Sequence, residues 1–211
     1  MPSPSRTDAP AKPATPDHPI HELLVRRWSP RAFAERPVEA AKLRRLFEAA
    51  RWAASSFNEQ PWRFFLATRD DPARFEQAVS CLVEGNQAWA RHAPVLILTA
   101  IHTRFTRNDK PNRVALHDLG LAMGSLTLQA TAMDLHVHQM AGVKLDRVRE
   151  VYALPEAFEP QTAAAVGYGT SDLSRLPANL HDAERGPRER LPLAEFVYSE
   201  SFGQPAPEVR K

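Results

Sequence analysis

The chain has 211 residues, of which 43% are hydrophobic, enough for one substantial core and too few for several independent domains. Lys and Arg number 27 against 25 Asp and Glu, which excludes the strong positive field of a protein that coats nucleic acid. Cys81 is the only cysteine, which excludes an internal disulfide or a multi-cysteine metal site and favours a reducing, cytoplasmic location.

The first 18 residues predict a disordered tail that precedes a single domain over residues 19–211. Residues 1–19 hold six of the 19 prolines and lack the apolar core of a secretory signal. No later segment approaches the roughly 18 apolar residues that a membrane-spanning helix requires, so no membrane association is expected.

Helical and strand patterns then alternate along the chain. Apolar residues at helical spacing predict helices over 20–26, 37–55, 71–83, 112–133 and 145–154. Apolar runs of strand length predict strands over 62–68, 94–101, 135–140 and 161–169. Residues 170–190 are polar and rich in turn formers. The alternation predicts an α/β (α+β) layer structure, although it does not determine the strand order.

The predicted helix over 112–133 differs from the others because it is apolar nearly all round. This pattern is typical of a central helix that is packed on several sides. Gly120 and Gly124 lie four residues apart on it, and glycine weakens a helix, so this spacing predicts that another backbone passes close by.

The segment RRWSPRAF, residues 26–33, concentrates positive charge after the first helix. Arg26, Arg27 and Arg31, with the hydroxyl of Ser29, have the chemistry of a phosphate site, because guanidinium groups give paired, charge-assisted hydrogen bonds to phosphate oxygens. The alternative is a solvated basic loop.

The segment AASSFNEQPWRF, residues 53–64, places small residues and amides between a helix and a strand. Ser55, Ser56, Asn58 and Gln60 can exchange hydrogen bonds with a planar heterocycle that carries carbonyls and ring nitrogens. The alternative is an ordinary turn that uses asparagine and proline for backbone reasons.

In this order and at this separation, the two segments resemble the paired signatures of the FMN-dependent nitroreductase family. An R-x-R-L-P motif at 188–192 adds a third point of similarity, so the resemblance covers nearly everything after residue 18. It implies a mixed sheet flanked by helices and a homodimer with a long central interface helix. It also implies that FMN is held noncovalently, with its phosphate and ribityl region contacted by Arg27, Trp28 through its backbone, Ser29, Arg31, Arg188 and Arg190.

The remaining cofactor residues are also implied by this resemblance. Ser55, Ser56, Asn58 and Gln60 form the segment that approaches the flavin from the other subunit. Asn86 matches an asparagine near the isoalloxazine ring, and the backbone of Met140, Ala141 and Gly142 matches a turn close to flavin N5. Ala141 replaces the family's glutamate, and Trp89 stands where several relatives carry a lysine near the flavin pyrimidine.

The resemblance implies an oxidoreductase that transfers reducing equivalents from NADH or NADPH to a nitroaromatic or quinone by a ping-pong cycle. No protein side chain is required as nucleophile or metal ligand; Arg31 is expected to stabilise charge on the reduced flavin, and the Ala141–Gly142 backbone to tune N5. The alternatives are a same-fold dehalogenase, aldehyde reductase or heterocycle oxidase, and a basic binding module without redox activity.

Several other residues are weaker functional candidates. His136 and His138 share a strand face, as two metal ligands do, but no third ligand at convincing spacing completes a site. His117 and Asp118 read as a satisfied, partly buried pair, and Cys81 as a packing residue.

Overall fold

The computed structural model describes residues 12–209, whose regular elements are seven α-helices and four strands. The helices are α1 Glu22–Arg26, α2 Ala40–Arg51, α3 Pro72–Ser80, α4 Glu84–Ala90, α5 Ala115–Ala132, α6 Leu145–Val151 and α7 His181–Arg185. The strands are β1 Trp62–Thr68, β2 Val95–His102, β3 His136–Met140 and β4 Phe158–Gly167. The predicted α/β (α+β) class is confirmed.

The four strands form one sheet in the order β1-β2-β4-β3. All three neighbouring pairs are antiparallel, whereas a mixed sheet was expected. The reason is that β2 and β3, which run in the same direction, are not neighbours: β4 lies between them and is antiparallel to both.

Helices cover both faces of the sheet. On β2, Leu96, Leu98 and Ala100 face a core cluster that includes Phe75 of α3 and Val148 of α6. The alternate residues of the same strand face a second cluster built with α2 and α5. β2 is therefore buried on both faces, which explains its uninterrupted apolar run.

The predicted strands are confirmed within three residues, and β1 has the predicted bounds. Five helix boundaries differ from the prediction by three or four residues: α2 begins at Ala40 and ends at Arg51, α3 ends at Ser80, α5 begins at Ala115 and α6 ends at Val151. α2 begins at Ala40 rather than Pro37, because Glu39 keeps an extended backbone. α3 ends at Ser80 rather than continuing to Val83, because Leu82 leaves the helix and forms a β-bridge with Val143. The unpredicted α4 and α7 have only seven and five residues, too few for a clear period.

Within residues 12–209, α5 packs against α1, α2 and the sheet, but one of its faces stays open. Leu119, Met123 and Leu126 are buried against the sheet, whereas Leu116 and Leu121 are exposed. A Cβ placed at Gly120 or Gly124 would meet no atom within 4 Å. No second backbone in residues 12–209 approaches them, and α5 presents an open apolar face.

The predicted tail, residues 1–18, falls largely outside the described residues. Where the description begins, at Lys12, the chain already makes contacts. The Ala14 N–H donates to the carbonyl oxygen of Val25 at 2.9 Å, and the Lys12 ammonium donates to the carbonyl oxygen of Glu184 at 2.7 Å. Within the described range, no helix combines the length and apolar character needed to cross a membrane.

Gly167 is expected to be required at the end of β4. A Cβ at this position would lie 2.6 Å from Cγ and Cδ of Pro94 and 3.0 Å from the Phe33 ring. Because a proline ring cannot rotate away, Gly167→Ala should lower the free energy of unfolding by about 1–3 kcal/mol. Urea unfolding measures this, and Gly85→Ala is the control because a Cβ there meets nothing within 4 Å. Equal stability of the two variants would contradict the close packing.

Candidate functional site

Two histidines of β3 contact the loop after α1. Trp28 is only 5% exposed, and its ring packs edge-on against His136. Nδ1 of His138 lies 3.0 Å from the carbonyl oxygens of both Ser29 and Pro30. The two histidines therefore support the loop. No group of three or more His, Cys, Asp or Glu within residues 12–209 is placed to hold a metal ion.

A buried carboxylate holds the same loop from the other side. Glu184 is 2% exposed and accepts hydrogen bonds from the backbone N–H of Arg31, at 2.9 and 3.0 Å, and of Ala32, at 3.1 Å. Backbone donors to a carboxylate are strong, charge-assisted contacts. Sequence reasoning missed Glu184, because it belongs to the short α7 within a segment that reads as polar loop.

Three guanidinium groups from distant parts of the chain come close together beside this loop. Arg27 donates to Ser29 Oγ at 3.2 Å, and Arg188 donates to the carbonyl oxygen of Val25 at 2.7 Å. Burial lowers the pKa of Arg27, and the positive charge of Arg190 lowers it further. Burial likewise lowers the pKa of Arg188, with added effects of Arg27 and Arg190. The three side chains therefore repel one another.

This cluster lacks the carboxylates that normally neutralise arginines. Among residues 12–209, no ion pair joins Arg27, Arg31, Arg188 or Arg190 to an aspartate or glutamate. Arg26 does not join the cluster, because it pairs with Asp134 at 2.6 Å. The segment at residues 26–33 and the R-x-R-L-P motif at 188–192 thus form a concentrated positive site that suits a phosphate dianion.

A second group of predicted residues meets at the end of β3. Asn86 Nδ2 donates to the carbonyl oxygen of Gly142 at 3.1 Å, and the Val83 N–H donates to the same oxygen at 3.1 Å. A Cβ at Gly142 would lie 2.6 Å from Asn86 Nδ2, so only glycine fits there without movement of Asn86.

The turn that follows Met140 presents free backbone donors. Met140 is buried at the end of β3, whereas Ala141 is exposed. The N–H groups of Ala141 and Gly142 find no acceptor in the described part of the chain. Trp89, the other departure from the family pattern, is buried with its ring 4.6 Å from that of His138, so it supports the strand rather than presenting a polar group.

β3 connects the turn to the loop after α1, residues 27–33, which we call the arginine loop. His138 contacts the loop, and Met140–Gly142 follow two to four residues later. At about 3.3 Å per residue, Met140 lies roughly 7 Å along the strand from His138, the residue that contacts the loop. The loop and the turn therefore both adjoin β3.

The segment that carries Ser55, Ser56, Asn58 and Gln60 lies elsewhere. The Ser56 N–H donates to the buried carboxylate of Asp118 at 3.0 Å, near the beginning of α5. Arg26, beside the arginine loop, donates instead to the carbonyl oxygen of Thr131, near the end of α5. Thirteen residues of helix, about 20 Å, separate Asp118 from Thr131. One chain does not bring the two signature segments together.

The backbone of this segment is tightly constrained. Phe57, Asn58 and Gln60 all have positive φ, which L-residues rarely adopt. The Gln60 N–H donates to Ser55 Oγ at 3.1 Å, and Gln60 Nε2 donates to the Asn58 carbonyl oxygen at 3.1 Å. Phe57 is 70% exposed, with the Arg107 guanidinium 3.8 Å above its ring. Sequence analysis did not anticipate this Phe57–Arg107 pair.

Two open cavities coincide with the predicted residues only at Arg31. Cavities of about 390 and 260 Å³ share Glu35 in their walls, and Arg31 is the predicted site residue that lines the smaller one. Arg69 and Arg175, which line these cavities, both pair with Glu35. We therefore place the site at the unpaired arginine cluster, where positive charge is not compensated, and not in the cavities.

The supporting histidines predict a pH dependence of stability. Burial lowers the pKa of both His136 and His138 from 6.5 to about 4. Between pH 6.5 and 4 the unfolded chain binds more protons than the folded chain, so the free energy of unfolding should fall as the pH falls. The slope is at most about 1.4 kcal/mol per pH unit for each histidine, and it levels off below pH 4.

Urea unfolding at several pH values and constant protein concentration measures this slope. His136→Phe should reduce it, because the aromatic packing is retained and the titrating group is lost. The exposed His18→Gln is the control and should leave the slope unchanged. Stability that stays level from pH 6.5 to 4 would contradict the prediction.

Known proteins resemble this chain over most of its length. The nitroreductase family model matches residues 24–168. A crystallised oxidoreductase that contains FMN is 35% identical, with a TM-score of 0.83 and coverage of 90% of this chain and 96% of that one. A provisionally assigned nitroreductase of Desulfovibrio desulfuricans, crystallised with FMN, is 26% identical, with a TM-score of 0.66 and coverage of 89% and 99%.

A relative by sequence is also similar over most of its length. Protein DrgA of a Synechocystis species is 32% identical over 163 residues, which cover 63% of this chain and 75% of DrgA. The family match includes the arginine loop, the serine segment and the turn after β3, and it exceeds half of the chain. The chain belongs to the nitroreductase family.

Proposed function

We propose that this protein is an FMN-dependent oxidoreductase that carries electrons from NADH or NADPH to a nitroaromatic or quinone acceptor in a ping-pong cycle. Its relatives support this assignment: two neighbouring structures contain FMN, and a Ralstonia nicotianae relative, 24% identical over 176 residues, is provisionally named an NADH dehydrogenase/NAD(P)H nitroreductase. Bound FMN would supply the redox chemistry, accepting a hydride from the nicotinamide and returning two electrons to the acceptor.

The arginine cluster is the single observation that carries the proposal. Arg27, Arg188 and Arg190 would bind the phosphate, because a dianion would relieve the mutual repulsion of the three guanidinium groups. Ser29 adds a hydroxyl donor that is already oriented by Arg27. Glu184 positions the loop by fixing its backbone at Arg31 and Ala32.

The turn after β3 would bind the isoalloxazine ring. The free N–H groups of Ala141 and Gly142 are suited to donate to flavin N5 and its neighbouring carbonyl, and Asn86 holds the turn in place through the Gly142 carbonyl. We assign Arg31 to the pyrimidine end of the ring, where reduction places negative charge. The loop and the turn both adjoin β3, which suits an elongated nucleotide whose charged end and ring end are both held.

We further propose a homodimer in which the second copy completes each site. Leu116, Leu121 and the two open glycines leave an apolar face on α5 that a second copy would cover. Because Ser55–Gln60 lie about 20 Å along α5 from the arginine loop, their proposed contact with FMN requires the other subunit.

The C-terminal segment supports this arrangement. Hydrogen bonds from Ser199 to Gln204 and from Ala206 to Val197 fold the segment on itself. Leu191, Phe196 and Phe202 nevertheless stay exposed, Phe202 at 93%. Exposed aromatic residues of this kind are typical of a segment that docks on another surface, and we propose that it reaches over the partner.

Spectroscopy and turnover test the function directly. Purified protein should be yellow, should release FMN on denaturation, and should bleach anaerobically with NADH or NADPH. A nitroaromatic or a quinone should then restore the absorbance. Protein that binds no flavin would overturn the proposal, and protein that is reduced by nicotinamide but reacts with neither acceptor would overturn the acceptor class only.

A further inference from the structure

The N-terminal segment before α1 lies beside the arginine cluster and outside the family match, which begins at residue 24. Arg188 attaches it there: one guanidinium nitrogen donates to the carbonyl oxygen of Lys12 at 3.0 Å and to that of Val25 at 2.7 Å. The Ala14 N–H donates to the same Val25 oxygen. Arg188, which is predicted to bind the phosphate, therefore joins the segment to the end of α1.

The side chain of Lys12 contacts both the loop after α1 and helix α7. Its ammonium donates to the carbonyl oxygen of Glu184 at 2.7 Å and lies 4.8 Å from the centre of the Trp28 ring. Trp28 follows Arg27 in the chain, and the Glu184 carboxylate holds the backbone of Arg31. Lys12 thus contacts the neighbour of Arg27, which is Trp28, and the residue that fixes the backbone of Arg31, which is Glu184.

Lys12 is a further cation within an already positive cluster. Burial lowers its pKa, an effect that Glu184 opposes and that the charges of Arg188 and Arg31 reinforce. Among the described ion pairs, none involves Lys12, so its charge is held by a carbonyl oxygen and an aromatic face. A bound anion would stabilise the charged ammonium.

Resting on the proposed function, we infer that Lys12–His18 forms a strap beside the FMN phosphate and that Lys12 is an additional binding residue for that phosphate. The strap comes from sequence that precedes the matched family domain. It adds one positive charge to the site and slows the release of the nucleotide. The strap should favour FMN over riboflavin, because Lys12 would contact the phosphate and not the flavin ring.

Lys12→Met tests the charge separately from the packing, because methionine keeps an apolar stem against Trp28. Binding of FMN and of riboflavin, which lacks the phosphate, should be measured by flavin fluorescence on the full-length chain stripped of flavin. FMN affinity should fall about tenfold, the effect of one charged contact, with riboflavin affinity unchanged. Lys110→Met, which removes an exposed lysine from another loop, is the matched control and should alter neither.

Ala14→Pro tests the attachment of the strap without changing any charge. Proline removes the N–H that bonds to Val25, so FMN should dissociate several-fold faster in a stopped-flow trap experiment. Equal losses for FMN and riboflavin in Lys12→Met, or no loss for either ligand, would overturn the phosphate contact. Failure of the unmodified chain to bind FMN would instead overturn the proposed function.

Discussion

Arg27→Ala and Arg190→Ala are each expected to strip FMN from the protein without unfolding it. Each substitution removes a charged hydrogen-bonding group from the phosphate site, a loss of about 1.5–3 kcal/mol that corresponds to roughly 10- to 150-fold weaker binding. The fold should persist, because each substitution also removes one of the mutually repelling positive charges of the cluster. The measurements are the flavin-to-protein ratio after purification, the FMN dissociation constant and the melting temperature of the flavin-free chain.

A surface arginine provides the matched control. Arg74 is highly exposed and pairs with Asp71 on α3, far in sequence from the cluster, so Arg74→Ala should retain full flavin. Riboflavin again isolates the phosphate, because its affinity should change little in either cluster variant. If both Arg27→Ala and Arg190→Ala purify with a full complement of FMN, the phosphate is not bound where we place it.

Leu116→Glu is expected to separate the proposed dimer into monomers and to release flavin with the same substitution. Leu116 lies on the open face of α5 and is 54% exposed in the single chain. Burial of an unpaired carboxylate in an apolar interface costs several kcal/mol, more than most homodimers tolerate at micromolar concentration. Light scattering or analytical ultracentrifugation gives the oligomeric state, and absorbance gives the bound flavin.

Leu145→Glu is the control for this experiment. Leu145 is also an exposed helical leucine, at 48%, but it lies on α6, which packs on the opposite face of the sheet from α5. It should leave both the oligomeric state and the flavin content unchanged. A Leu116→Glu protein that keeps its mass and its flavin would show that α5 is not the interface.

The sequence predicted the fold well where long elements repeat a clear pattern. β2 reads as a buried strand because both faces of the sheet are covered, and β1 has the predicted bounds because its limits are marked by Pro61 and Asp70-Asp71. The short helices α4 and α7 gave no usable period. Strand order depends on long-range pairing, in this case the insertion of β4 between β2 and β3, and no local pattern records it.

The sequence singles out the signature residues, which remain a prediction, but it does not single out the residues that support them. The arginine segments are recognisable because charge is concentrated in few residues. Asn86 and Gly142, two other predicted residues, lie in contact through a hydrogen bond. Glu184 and Lys12 were missed because a buried carboxylate and a docked lysine look, in sequence, like any charged residue in a polar segment. Tertiary packing alone distinguishes them.

The distance between the two signature segments has a genetic consequence if the proposed dimer is correct. Each active centre would combine the arginine loop of one copy with the serine segment of the other. A chain defective at Arg27 and a chain defective at Asn58, mixed in one cell, would form hybrid dimers that hold one doubly damaged centre and one undamaged centre. Two individually inactive alleles would then complement each other and restore up to half of the activity in every hybrid.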